Sequence, residues 1–170
     1  MSGVIVRPTT VDDEKFLWAM LFEASHARDQ GMANPDELRD VPALTRYVEG
    51  WGRPGDIGVV GGMDGVLLGA AWVRVFDAEE SGYGFVADGI PELAIGVAPE
   101  SRGFGIGTTV LSALLDTLRP LYPGVSLSVR LENPARKLYE RLGFVDVPDS
   151  EHRNRAGSTS VTMYTVFDAD

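Results

Sequence analysis

Apolar positions along this chain switch between two spacings, and the switches mark out its elements. Residues 4–8 (Val-Ile-Val-Arg-Pro) read as a short first strand. Over 9–25, Phe16, Leu17, Met20 and Leu21 recur at helical spacing behind acidic first-turn residues, which suit the positive end of a helix. Residues 26–40 are polar and irregular, and 41–52 predict a second, shorter helix ending near Gly50 and Gly52. The apolar stretch 56–76 predicts two strands joined at Met63-Asp64-Gly65, because Asp-Gly is a hairpin signal. A loop rich in turn residues follows over 77–91.

The second half opens with a strand over 92–99, where Leu93, Ile95 and Val97 share one face and Glu92, Ala94 and Gly96 the other. Ile106, Val110, Leu111, Leu114, Leu115 and Leu118 then repeat at helical spacing up to Pro120. Residues 125–131 alternate as a strand, and 134–143 form a short helix with Pro134 in its first turn and Gly143 as its stop. Strands at 144–147 and 158–167 close the chain around a polar loop at 148–157. The order predicts one α/β domain over residues 1–170, with a mixed parallel and antiparallel sheet.

Composition removes several classes of function. A formal charge of −10 argues against a nucleic-acid partner, which needs a basic face to displace counterions. The chain has no cysteine, so disulfide and thiol chemistry are absent, and with only His26 and His152 no metal site is expected. No apolar run reaches the roughly 18–20 residues of a membrane span, and the N-terminus lacks a signal-peptide layout. A cytoplasmic protein with no membrane partner is the expectation.

Chemistry concentrates between the strand at 92–99 and the helix that follows. Arg102-Gly103-Phe104-Gly105-Ile106-Gly107 places three glycines at a strand-to-helix junction, where unpaired N–H groups meet a positive dipole end. Such a junction suits an anion, and glycines let the backbone approach a phosphate closely. It is not a nucleotide P-loop, since no lysine follows the glycines. The dinucleotide pattern also fails, because Thr108 stands where its third glycine belongs.

These residues resemble the acyl-CoA-binding motif of the GCN5-related N-acetyltransferase (GNAT) superfamily, whose core R/Q-x-x-G-x-G/A is filled by Arg102, Gly105 and Gly107. A second block, Glu132-Asn133-Pro134-Ala135 through Leu138-Tyr139-Glu140-Arg141-Leu142-Gly143-Phe144, is similar to the superfamily's later segment. The resemblance implies a GNAT fold: a central mixed sheet of six to seven strands, about four flanking helices, and two strands splayed at the acyl-CoA site. It implies that the amides from Arg102 through Gly103, Phe104, Gly105, Ile106 and Gly107 to Thr108 hold the pyrophosphate of coenzyme A. Backbone groups of Ile95 and Val97 would pair with the pantetheine arm, and Asn133 would meet its other side. The superfamily's strand usually carries a bulge, which Gly96 would permit.

The implied activity is transfer of an acetyl group from acetyl-CoA, as co-substrate, to a primary amine of a small molecule or peptide. The amine attacks directly in a ternary complex, and Val97 N–H is expected to face the developing oxyanion. Tyr139 matches the tyrosine that protonates the leaving thiolate, and Glu92, opening its strand, is the candidate base. A coenzyme A-binding sensor with the same fold and no turnover is the alternative, and the resemblance also admits a homodimer. Acceptor specificity is expected from the loops at 25–40 and 81–89, with His26, Tyr83 and Phe85 as candidate lining. Asp29, Asp36, Asp40 and Asp88 in those loops suggest a cationic acceptor.

Overall fold

Asp64 and Gly65 both adopt positive φ (53° and 82°) and close the expected two-residue hairpin. In the computed structural model, which describes residues 3–77, 79, 84–154 and 157–167, this hairpin joins β2 (Ile57–Met63) to β3 (Val66–Arg74). The other strands are β1 (Ile5–Pro8), β4 (Glu92–Val97), β5 (Gly124–Arg130), β6 (Val145–Asp146), β7 (His152–Arg153) and β8 (Thr159–Val166). The α-helices are α1 (Glu14–Ala24), α2 (Pro42–Thr45), α3 (Ile106–Leu118) and α4 (Arg136–Arg141).

Among the described residues the strands form one eight-stranded sheet in the order β1-β2-β3-β4-β5-β8-β6, with β7 also paired to β8. That is one strand beyond the expected upper count: β7 is a two-residue pairing inside the segment read as a polar loop. The second helix is shorter than the 41–52 pattern suggested. Its apolar residues Tyr47, Val48 and Trp51 are buried without a continuous helix to carry them. Instead, buried side chains from β3 pin that backbone: Trp72 Nε1 donates to the Tyr47 carbonyl (3.0 Å), and Arg74 donates to the carbonyls of Arg46 (3.0 Å) and Glu49 (2.8 Å). Arg74 is neutralised by Asp56 at 2.8 Å, so the buried charge is paired.

Two cores lie on the two faces of the sheet. On the back, α3 sets Ile106, Val110, Leu111 and Leu114 against Leu93, Val125, Leu127 and Met163. On the front, α1 sets Leu17, Met20 and Leu21 against Val60, Ala70 and Trp72, with Ala94 packed at the edge. The strand alternation read from the sequence is thus the one that divides the cores. Gly96 has a different job from the one expected. The pairing of β3 with β4 runs without a register shift from Gly69–Val97 to Arg74–Glu92, so β4 carries no bulge there. A Cβ on Gly96 would lie 2.3 Å from the Met20 carbonyl oxygen, so this glycine lets α1 press onto the strand.

Candidate active site

The parallel pairing of β4 with β5 consists of a single register position, Glu92 opposite Ser126. Beyond it the two strands separate. Backbone direction alternates along a strand, and two hydrogen bonds fix its phase here. Ala98 N–H donates across to Leu68 of β3 (2.8 Å), whereas the Pro91 carbonyl accepts from Ser126 N–H of β5 (3.1 Å). The N–H and C=O groups of Ile95 and Val97 therefore face the gap on the β5 side. A pantetheine arm, with its two amides, is the kind of chain that such an unpaired edge can accept.

At the wide end of the gap, Gly103 and Gly105 hold φ of 90° and 80°, which favours glycine at both. Gly105 is the N-cap of α3 and offers no side-chain cap, leaving the first amides of the helix directed outward. The side chains in this loop serve other ends. Phe104 is 71% exposed, while Ile106 is buried in the back core, so each could meet a ligand only through its backbone or its edge. Thr108 is exposed on the first turn of α3. Arg102 reaches the opposite way and pairs with Glu23 Oε1 at 3.2 Å, an oxygen that Arg28 also contacts at 2.5 Å.

A cavity of about 600 Å³ runs from this loop to the closed end of the gap. Ile95, Val97, Arg102, Gly103, Gly107 and Asn133 line it, and so do Tyr139 and Glu92; Phe104, Gly105, Ile106 and Thr108 do not. Asn133 Oδ1 accepts from Ala135 N–H (2.9 Å), shaping the turn into α4 beside the gap.

Tyr139 is 5% exposed, stacked obliquely near Phe144 with ring centroids 5.9 Å apart, and its hydroxyl has no hydrogen-bond partner among the described residues. Burial pushes its pKa up to about 12, so the phenol stays protonated over the working pH range. Glu92 opens its strand but is not solvated. It is 2% exposed, accepts a hydrogen bond from the Tyr47 hydroxyl at Oε2, and has no partner for Oε1 among the described residues. Burial raises its pKa to about 7, with Tyr47, the Gly84 amide and the Arg46 charge pulling partly back. A carboxyl group near its midpoint at neutral pH can take a proton and release it again.

The acceptor side differs from expectation. His26 lines the cavity, and its pKa is lowered by burial and then by the Arg130 charge. Phe85 packs against the front core instead, and Tyr83 lies outside the described residues. Asp29, Asp36, Asp40 and Asp88 are absent from the lining; Asp29 pairs with Arg130 and Asp36 with Arg39. The carboxylates that do line the cavity are Glu23 and Glu92. Tyr47 and Arg130 were missed as site residues. Tyr47 sits in an apolar pattern that reads as core, and only the pairing with Glu92, 45 positions away, reveals it. Arg130 had a visible signal: it occupies a polar-face position of an alternating strand.

The acetyltransferase (GNAT) family model matches residues 18–144. The chain belongs to that family. It is 30% identical over 160 residues to a mycothiol acetyltransferase of Clavibacter sepedonicus, covering 91% of this chain and 47% of the relative. A mycothiol acetyltransferase of Nocardiopsis dassonvillei is 32% identical over 152 residues, covering 83% and 42% respectively. The chain thus spans less than half the length of these curated relatives. Among solved structures, a ribosomal-protein-alanine N-acetyltransferase of Brucella melitensis superposes with a TM-score of 0.66 at 18% identity, covering 96% of this chain and 99% of that one. A Salmonella typhimurium protein solved with its cofactor acetyl-CoA gives 0.64 at 18% identity, covering 98% and 95%. These likenesses show the GNAT fold.

Proposed function

We propose that this GNAT domain is an N-acetyltransferase that moves the acetyl group of acetyl-CoA to a primary amine of a small molecule or peptide. The observation that carries the reading is the separation of β4 from β5 after Glu92–Ser126, with one cavity joining the glycine loop, Tyr139 and Glu92. Family membership and the acetyltransferase names of the relatives support it. Acetyl-CoA fits the residues present: the uncapped amides at the start of α3 suit its diphosphate, and the unpaired backbone of Ile95 and Val97 suits its amides. When bound, it supplies an acyl group activated as a thioester.

The chain's own residues then divide the work. The loop and the β4 edge hold the donor in line, and orientation alone can supply about 7–11 kcal/mol in well-ordered cases. Glu92 takes the proton that the amine loses, through Oε1, while Tyr47 holds the other oxygen. Val97 N–H, directed into the gap, would serve the acyl oxygen, and Asn133 shapes the opposite wall. The Tyr139 hydroxyl, with no acceptor among the described residues, would give its proton to the departing sulfur.

Thiol release from acetyl-CoA across a panel of primary amines tests this directly. Turnover is expected, and Tyr139→Phe should slow it by about 10²–10⁴-fold while leaving coenzyme A affinity unchanged. Binding of coenzyme A without turnover of any amine would instead favour a sensor.

A further inference from the structure

The front face of the sheet changes character where β4 parts from β5. From β5 onward the front-facing positions are Ser126, Ser128 and Arg130, directly opposite Tyr164, Thr162 and Ser160 of β8. His152 of β7 lies opposite Ser160 in turn, so Arg130, Ser160 and His152 form one row across three strands. Asn154 Nδ2 donates to Ser160 Oγ at 2.9 Å and fixes that hydroxyl. Of these groups, Ser128, Arg130, Ser160, His152 and Asn154 line the same cavity as Glu92. Ser126, Ser160 and Thr162 are buried, so this polar wall is not an ordinary solvated surface.

Arg130 stands out within it. Its side chain is only 16% exposed, yet among the described residues its one partner is Asp29, at 3.4 Å and itself 65% exposed. A guanidinium offers five N–H donors in a planar fork that matches a carboxylate or phosphate. Most of them have no acceptor among the described residues. Seclusion of a cation with so little compensation points to an anion that arrives with a ligand.

We propose that the front of β5 and β8 is the floor of the acceptor compartment, and that Arg130 holds a carboxylate or phosphate carried by the acceptor amine. The inference rests on the transferase reading and adds the substrate class: a polar amine with an anionic group at its far end. Ser126, beside Glu92, and Arg130 are four residues apart on one strand, about 13 Å at the usual rise. The amine lies at the Glu92 end, the anion at the Arg130 end, and the hydroxyls of Ser128 and Ser160 face the part between. This replaces the cationic acceptor that the acidic loops suggested, since those aspartates stand outside the cavity.

Matched pairs of primary amines, each carboxylate or phosphate compound set against its amide or alcohol, separate the outcomes. With acetyl-CoA saturating, the anionic member should be favoured by about tenfold or more in kcat/KM, and Arg130→Gln should erase the preference. Coenzyme A affinity should stay within about twofold of the parent. A second readout needs no turnover: inorganic phosphate should raise the unfolding midpoint of the coenzyme A-saturated parent but not of Arg130→Gln. Preference for the uncharged members overturns the proposal, as does a preference that survives the substitution. A loss of coenzyme A affinity in Arg130→Gln would assign the guanidinium to the donor's phosphates and also overturn it. Failure of the parent to bind coenzyme A would remove the transferase reading itself, whereas intact binding with no phosphate effect removes this inference alone.

Discussion

The two halves of the sheet's front face solve opposite problems with the same strand geometry. From β2 to β4 the front is apolar apart from Arg74, whose charge Asp56 pairs: Val60, Ala70 and Trp72 are buried under α1, whose backbone comes close enough to require Gly96. From β5 to β8 the front is hydroxylic and charged, while α1 packs chiefly on β4 and β3. The border is Glu92, a carboxyl group buried at the edge of the sealed half and opening onto the cavity of the other. A dry wall beside a polar floor leaves a carboxyl group of raised pKa at the edge of the cavity. The back face shows no such division, since α3 and the β5–β8 apolar positions form one continuous core.

The seal is the part most sensitive to change. Gly96→Ala would put a methyl group 2.3 Å from the Met20 carbonyl oxygen, and α1 must shift to relieve it. A loss of about 3 kcal/mol is expected in chemical denaturation, because backbone cannot rotate away as a side chain can. An unchanged midpoint would mean that α1 is not clamped to β4 as described.

Next in size is the charge at the border. Glu92 has a raised pKa in the folded chain, about 7 against an ordinary 4.5, so the native state binds more protons between these values. Stability should therefore fall as pH rises from about 4.5 to about 7, by about 3 kcal/mol when the group is fully ionised. Glu92→Gln keeps an acceptor for Tyr47 and removes the charge, so it should flatten that slope and be more stable than the parent at pH 8. Parallel stability curves for the two proteins would show that Glu92 is not buried as a charge. The smallest effect is expected in the polar half. Ser126 Oγ is buried with no hydrogen-bond partner among the described residues, so Ser126→Ala should change stability by less than about 1 kcal/mol. A markedly larger loss would reveal a partner for that hydroxyl.

Much of this division was legible in the sequence. The alternation of Leu93, Ile95 and Val97 against Glu92, Ala94 and Gly96 correctly separated the two faces, and the glycine loop and Tyr139 fell on one cavity. Local pattern could not show that Glu92 is buried, because its cover comes from Tyr47 and Gly84, which approach through tertiary packing. The same limit hid β7, whose two residues form a strand only because β8 lies beside them. Charge counting misled for a related reason. Acidic residues in the 25–40 and 81–89 loops are near the site in sequence, but the side chains that face the cavity are chosen by the strand register.

Coenzyme A titration of the parent and of Gly105→Val by calorimetry tests the central claim most directly. Gly105 has a φ of 80° and open space around it, so valine strains the loop without filling the core. The account predicts saturable binding to the parent and loss of most of that affinity in a Gly105→Val protein that remains folded. No binding to the parent, or equal affinity in the two proteins, would contradict it.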